Sequence, residues 1–181
     1  MSESRLRPTL VLPVAGTRLR PWQITDEAAL TACANDAGVA QNLRDTFPHP
    51  YGPEDARWYL ELAATTTAPD IHLAIEVDGA ASGGISIIFK NDVDRRSAEI
   101  GYWLGRRCWS RGIMTAAVQA LTDYTFANFD VCRLYAGVFA YNLASARVLE
   151  KCGYALEGRL RKSVTKNGQT IDSLLYAIVN E

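Results

Sequence analysis

The segment Ile100-Gly-Tyr-Trp-Leu-Gly-Arg-Arg-Cys-Trp-Ser-Arg-Gly-Ile-Met-Thr115 constrains the fold most. In it an apolar β-prone run ends in an arginine-rich turn whose small residues open a helix. The first N–H groups of such a helix have no intrahelical acceptor and the helix dipole makes that end positive, so the turn suits an anion, phosphate above all. Ser110 and Gly112 leave little side-chain bulk in the way, and Arg106, Arg107 and Arg111 concentrate positive charge beside it. Gly112 by itself reads equally well as an ordinary turn glycine.

That charge is local. The chain carries 19 Lys and Arg against 20 Asp and Glu, a net charge of -1, which argues against a general nucleic-acid or anionic-membrane surface. With 181 residues, 48% of them hydrophobic, it has the material for one domain spanning residues 1–181 with a sizeable core. No apolar run approaches the roughly 18 residues of a membrane span. Met1-Ser-Glu-Ser-Arg5 lacks the apolar centre of a secretory leader, so a cytoplasmic protein is expected. Cys33, Cys108, Cys132 and Cys152 are scattered without a CxxC pair, which predicts reduced thiols and no metal centre.

The rest of the chain alternates strand and helix signals. Thr17–Trp22 reads as a strand, Thr25 as the N-cap of a helix, Phe47–Pro53 as a proline-stiffened loop and Glu54–Ala64 as a second helix. Ile71–Val77, Ser86–Lys90 and Ala98–Leu104 form an antiparallel meander, with Asp78-Gly79 as a turn. Thr115–Phe129 has helical periodicity, Leu134–Phe139 is a strand and Leu143–Cys152 a helix ended by Gly153. Tyr154–Arg161 and Ser173–Val179 make a closing pair, with Lys166-Asn-Gly-Gln169 as a turn between them. No internal repeat or linker interrupts this α/β (α+β) pattern.

This order resembles the GNAT superfamily of N-acetyltransferases, and two motifs carry the likeness. Trp109-Ser-Arg-Gly-Ile-Met-Thr115 is similar to the superfamily's pyrophosphate loop, written Gln/Arg-x-x-Gly-x-Gly/Ala. Asn142-Leu-Ala-Ser-Ala-Arg-Val-Leu-Glu-Lys-Cys-Gly-Tyr154 is similar to its Asn-x-x-Ser/Ala helix closing on Gly-Phe. With Thr17-Arg-Leu-Arg-Pro21, Glu99-Ile-Gly-Tyr-Trp-Leu104 and Leu175-Tyr-Ala177 added, the match runs almost the whole length and looks most like the RimJ/RimL branch. Trp109 and Met114 depart from the general motif in the manner of that branch.

The resemblance implies a mixed, mostly antiparallel sheet of about seven strands flanked by about four helices. The fourth and fifth of those strands splay apart. It implies acetyl-CoA as co-substrate, held without a metal by Trp109, Ser110, Arg111, Gly112, Ile113, Met114 and Thr115, with Arg106 or Arg107 meeting a phosphate. The pantetheine arm is expected against the strand edge at Tyr102, Trp103 and Leu104, although Trp103 reads at least as well as core. Asn142 is implied as a pantetheine or substrate contact and reads equally as an N-cap.

The same resemblance implies direct attack by an amine, without a cysteine acyl-enzyme. The family's tyrosine acid falls on Leu149, which leaves Ser145 as the proton donor, directly or through water, although it reads equally as a helix-start hydroxyl bonded to nearby backbone; Tyr141 is a weaker reserve that reads better as packing. Glu99 is the candidate base, with a salt bridge to Arg95 or Arg96 as its alternative role. The carboxylate base of RimL-like members falls near Val164 and is missing. Neutralising an α-amine of pKa about 8 at pH 7 costs about 1.4 kcal/mol, whereas a lysine of about 10.4 costs about 4.6. A weak base therefore favours an N-terminal α-amine, as of a ribosomal protein, over a lysine side chain. A small-molecule amine and a catalytically silent acyl-CoA-binding module are the alternatives, and a homodimer is compatible with the resemblance. His49 reads as a surface residue, His72 as structural and Asp172 as a turn residue.

Overall fold

In the computed structural model, residues 7–65 and 70–181 are described. The leader reading of Met1–Arg5 lies outside them. The described strands form one eight-stranded sheet: β1 (Leu10–Val11), β2 (Thr17–Pro21), β3 (Ile71–Val77), β4 (Ala80–Phe89), β5 (Ser97–Leu104), β6 (Arg133–Phe139), β7 (Ala155–Lys166) and β8 (Gln169–Val179). Their order is β1-β2-β3-β4-β5-β6-β8-β7, antiparallel throughout except for the parallel β5–β6 pair. Five α-helices flank it: α1 (Glu27–Ala34), α2 (Ala37–Ala40), α3 (Pro53–Thr65), α4 (Ile113–Asn128) and α5 (Leu143–Lys151). One strand and one helix more than the sequence predicts are present, because β1 and α2 are too short to leave a periodic signal.

Two apolar layers sandwich the sheet. On one face Ile113, Ala117, Val118 and Leu121 of α4 and Ala146 and Leu149 of α5 pack onto Ile75, Ile85, Ile100, Leu134 and Ala136. On the other, Leu30 and Ala34 of α1 and Ala56 and Leu60 of α3 pack onto Trp22, Ala74 and Ala81. Leu149 is fully buried in the first layer, so the position where the family's tyrosine would stand is core.

Thr25 is not the cap foreseen for α1. It lies in a 3-10 turn (Ile24–Asp26), where Asp26 accepts from the Gln23 N–H at 2.9 Å. Asp26 also receives a two-pronged bond from Arg20 (2.8 Å each), and Arg20 and Arg18 both reach Glu76 on β3. Arg20, Asp26 and Glu76 are buried, so the Thr17–Pro21 motif is an ionic rivet between β2, β3 and the start of α1. The two predicted hairpin turns are present, with left-handed φ at Asp78 and Gly79 and at Asn167 and Gly168. Gly153, φ 82°, closes α5, and Tyr154 N–H donates to Leu149 C=O at 3.0 Å.

Candidate active site

The β5–β6 pair is the only parallel contact in this sheet, and it is brief. Ser97, Ala98 and Glu99 pair with Arg133, Leu134 and Tyr135, and beyond Glu99 the two strands part. Lys90 N–H donates to Ser97 C=O (3.0 Å) and Gly105 N–H to Ser82 C=O (2.8 Å), so the odd-numbered residues of β5 turn their backbone groups to β4. By strand alternation Ile100 and Tyr102 turn theirs toward β6; the Ile100 N–H faces Tyr135 in the last β5–β6 contact, and beyond it the Ile100 carbonyl and both backbone groups of Tyr102 present an open edge to the gap. Trp103 is odd-numbered. Its backbone faces β4 at Gly84, and its ring packs edge-on against Phe47 with centroids 5.3 Å apart. That placement assigns it to the second core layer, not to the strand edge foreseen for it. The carbonyl of Leu104 does point away from β4, but it accepts from Trp109 Nε1 at 2.6 Å.

The edge leads straight into the arginine-rich turn. Ser110 (φ 61°) and Gly112 (φ 74°) both adopt left-handed conformations, and α4 begins at Ile113, two residues before its predicted start. The first intrahelical bond that reaches the turn is Ala116 N–H to Gly112 C=O, 3.1 Å. Among the described residues, the N–H groups of 110–115 meet no acceptor. A Cβ built on Gly112 would meet nothing within 4 Å, so the space over these groups is open. Ile113 contributes backbone alone, since its side chain is buried in the core, and Met114 packs partly against the same layer. The Thr115 carbonyl is an acceptor for the buried Cys152 thiol at 3.3 Å.

The turn's arginines divide by role. Arg106 is committed to Asp36, with Nε to Oδ2 at 2.9 Å and Nη2 to Oδ1 at 2.9 Å, and its guanidinium lies 5.3 Å from the Trp109 ring centre. Its bonds hold the Asp36 carboxyl below the usual range. Arg107 is exposed with no ion pair among the described residues, and Arg111 makes only a loose one to Asp78 at 3.8 Å. Arg107 and Arg111 are thus the two cations open to an anion.

At the other end of the gap, Asn142 caps α5 by accepting from Ser145 N–H at 3.2 Å. Ser145 Oγ does not bond local backbone. It lies 2.9 Å from the Tyr102 hydroxyl, which also has the Ser145 carbonyl within reach at 3.3 Å. Burial pushes the Tyr102 phenol well above its usual range, against a smaller opposing effect of the Ser145 bond. Sequence reading missed this pair, because a Tyr on a strand and a Ser on a helix 43 residues later carry no local signal.

Glu99 lies on the opposite face of β5 from Tyr102. Its carboxylate is shared by Arg44, from the segment after α2, and by Lys90 at 3.2 Å. Arg95 and Arg96, the partners foreseen, bond elsewhere, to the Asp92 carbonyl and to Asp130. Burial works against the Lys90 ammonium, but Tyr135 and Glu99 bind its proton more firmly than usual. A cavity of about 250 Å³ opens beside them, lined by Lys90, Asp94, Ser97, Arg133, Tyr135 and Leu175. Residues 41–45 strap across this face, since Tyr141 donates to the Gln41 carbonyl and Lys166 bonds Asp45 at 2.7 Å. Tyr141 is therefore an anchor. Asp172 braces a bulge of β7 by accepting from Lys162 N–H and Arg159. His49 is exposed, and burial lowers the pKa of the partly buried His72 despite Asp70.

All four thiols are free, and burial pushes Cys33 up to about 12 and Cys152 up to about 11. No group of residues able to hold a metal occurs among the described residues, and no described helix is long and apolar enough to cross a membrane.

This geometry has known counterparts. The 30% identity to "Putative ribosomal N-acetyltransferase YdaF" of Bacillus subtilis (strain 168) extends over 135 residues, 75% of this chain and 70% of that one. A 45% identity to "Probable N-acetyltransferase YjcK" of the same organism covers 85 residues, so the chain spans about half of that relative's length, 47% of each. The solved structure "Mycobacterium smegmatis RimJ in complex with CoA-disulfide" superposes with a TM-score of 0.81 at 26% identity, over 96% of this chain and 86% of that one. The model of the Acetyltransferase (GNAT) domain matches residues 17–155, which takes in the parted strands, the turn and α5. The chain belongs to the GNAT family of acetyltransferases.

Proposed function

We propose that this chain transfers the acetyl group of acetyl-CoA to a primary amine, and that the amine is the α-amine of a protein or peptide N-terminus, such as that of a ribosomal protein. The observation that carries the cofactor half is the open β5 edge at the Ile100 carbonyl and Tyr102 running into the unpaired N–H groups of residues 110–115. A pantetheine arm is an amide chain that pairs with a strand edge, and a diphosphate suits a cradle of free N–H groups, so the residues present fit that molecule. Arg107 and Arg111 add charge-assisted contacts. Arg106 and Trp109 act instead as struts that set the turn's shape, and Trp103 stays in the core.

Bound acetyl-CoA supplies an activated acyl carbon and a thiol leaving group. Ser145, at the first turn of α5, gives its hydroxyl proton to the leaving sulfur, and Asn142 holds the backbone of that turn in place. Glu99 serves the acceptor on the opposite face. Its carboxylate already holds two cations, and Arg44, with a side chain 76% exposed, is free to yield its place to an incoming ammonium. Such a site holds a positive amine better than it strips one. That suits an α-amine, whose deprotonation costs about 1.4 kcal/mol at pH 7. The similarity to YdaF supports the same reading.

Incubation with labelled acetyl-CoA and peptides carrying free or blocked N-termini, alongside small amines, tests it by mass spectrometry. Label is expected on free α-amines and absent from N-blocked peptides that contain lysine. Label confined to small amines would overturn the N-terminal reading, and none on any acceptor would overturn acetyl transfer.

A further inference from the structure

The contact between Tyr102 and Ser145 joins β5 to α5 across the parted strands, and its chemistry goes beyond holding them together. Asn142 Oδ1 holds the Ser145 N–H, and the Tyr102 hydroxyl oxygen lies 2.9 Å from Ser145 Oγ and 3.3 Å from its carbonyl. Among the described residues Ser145 Oγ has no other polar partner. A phenol has one hydrogen and a serine hydroxyl one hydrogen and two lone pairs, so a Tyr102 that gives its hydrogen to the nearer of its two acceptors, Oγ at 2.9 Å against the carbonyl at 3.3 Å, leaves the serine's own hydrogen to point elsewhere. The parted strands lie beside this pair, beyond the Glu99–Tyr135 contact. The phenol keeps its proton because burial disfavours the phenolate.

We propose that Tyr102 is a positioning residue for acetyl transfer, aiming the Ser145 hydroxyl hydrogen at the leaving sulfur; this rests on the reading of Ser145 as proton donor. The attacking nitrogen forms its bond to the acyl carbon and the carbon–sulfur bond breaks. Ser145 hands its hydrogen to sulfur and takes up the hydrogen shed by nitrogen, so it ends as a hydroxyl again. Tyr102 stays protonated throughout and supplies direction, not a proton. The side chain of β5 thus works in the chemistry, while its backbone is the edge along which the coenzyme arm runs.

A double-mutant cycle on the full-length chain tests this, with kcat, KM for acetyl-CoA and thermal midpoint measured for each variant. Ser145→Ala is expected to lower kcat about 100-fold. Tyr102→Phe is expected to lower kcat about tenfold, with KM for acetyl-CoA within about twofold of the parent. In the Ser145→Ala background Tyr102→Phe should then cost nothing further, because the hydroxyl it aims is gone. Ser145→Thr, which keeps a hydroxyl, should retain sensitivity to Tyr102→Phe. An undiminished loss in the Ser145→Ala background, or a fall in thermal midpoint with kcat unchanged, would make Tyr102 a structural tie and overturn the proposal. A fall in kcat for Ser145→Ala without one for Tyr102→Phe would overturn it alone. Full kcat in Ser145→Ala would remove the proton-donor reading as well.

Discussion

Arg106 forms a two-point ion pair with Asp36, and the same carboxylate accepts from the Gly38 and Val39 N–H groups that open α2. One bond set thus ties the anion-binding turn to the segment that straps the acceptor face. The turn's most prominent arginine is spent on geometry, which leaves Arg107, Arg111 and the free N–H groups as the turn's open positive sites.

Gly38 makes that tie possible. A Cβ there would stand 1.9 Å from Arg106 Nη2, closer than any real contact. Gly38→Ala is expected to swing the flexible Arg106 guanidinium away from Asp36 and to lower the thermal midpoint by only about a degree. In an Arg106→Ala background the same substitution should cost much less. Equal midpoint losses in both backgrounds, read by differential scanning fluorimetry, would place the strain elsewhere.

Gly112 is constrained by its backbone alone, since nothing lies near a built Cβ but φ is 74°. Gly112→Ala should cost about 1 kcal/mol of strain while leaving coenzyme A binding within a few-fold. Gly112→Glu sets a carboxylate over the free N–H groups and should weaken binding by more than tenfold. Calorimetric titration with coenzyme A separates the two, and equal affinity in the Glu variant would contradict the cradle.

Gly137 lies on the Glu99 face of β6 between Tyr135 and Phe139, and a Cβ there meets nothing within 4 Å. Gly137→Leu would fill that space with a side chain. An increase of at least tenfold in acceptor KM, with KM for acetyl-CoA unchanged, is the expected result in steady-state kinetics.

Glu76 is buried, which raises its pKa, but bonds from Arg18 and Arg20 outweigh this and hold it below the usual range. A depressed carboxylate stabilises the fold above its unfolded pKa of about 4.3, and that contribution is lost as pH falls through the lower folded value. Glu76→Gln leaves Arg20 short of a partner and should cost about 3 kcal/mol at pH 7, roughly 10 °C in midpoint. The deficit should shrink as both proteins are acidified below about pH 4. A pH-independent deficit in thermal melts would show that packing, not charge, is what Glu76 contributes.

Where local chemistry decides conformation, the sequence was readable. Asp78-Gly79 and Asn167-Gly168 announce tight turns, Gly153 stops α5, and the passage from β5 through a small-residue turn into α4 is legible. The first half of β4 was not, because Ala81-Ser-Gly-Gly84 lacks strand-forming side chains. Its glycines answer to tertiary contacts: a Cβ on Gly83 would meet the Trp103 carbonyl at 2.5 Å, and one on Gly84 the Trp103 ring at 2.8 Å. The partners of Glu99 and Ser145 were equally hidden. Arg44 lies 55 residues from the one and Tyr102 43 from the other, and only the closed sheet brings them together.

The central claim is that the parted edge of β5 and the turn at 110–115 hold coenzyme A through main-chain amides. Hydrogen exchange of the backbone with and without coenzyme A tests it most directly, because the N–H groups of 110–115 start without acceptors and should exchange fast. Strong slowing at 110–115 and at Tyr102 on saturation is the predicted result. Unchanged exchange at those residues, with the ligand bound as judged by calorimetry, would contradict it.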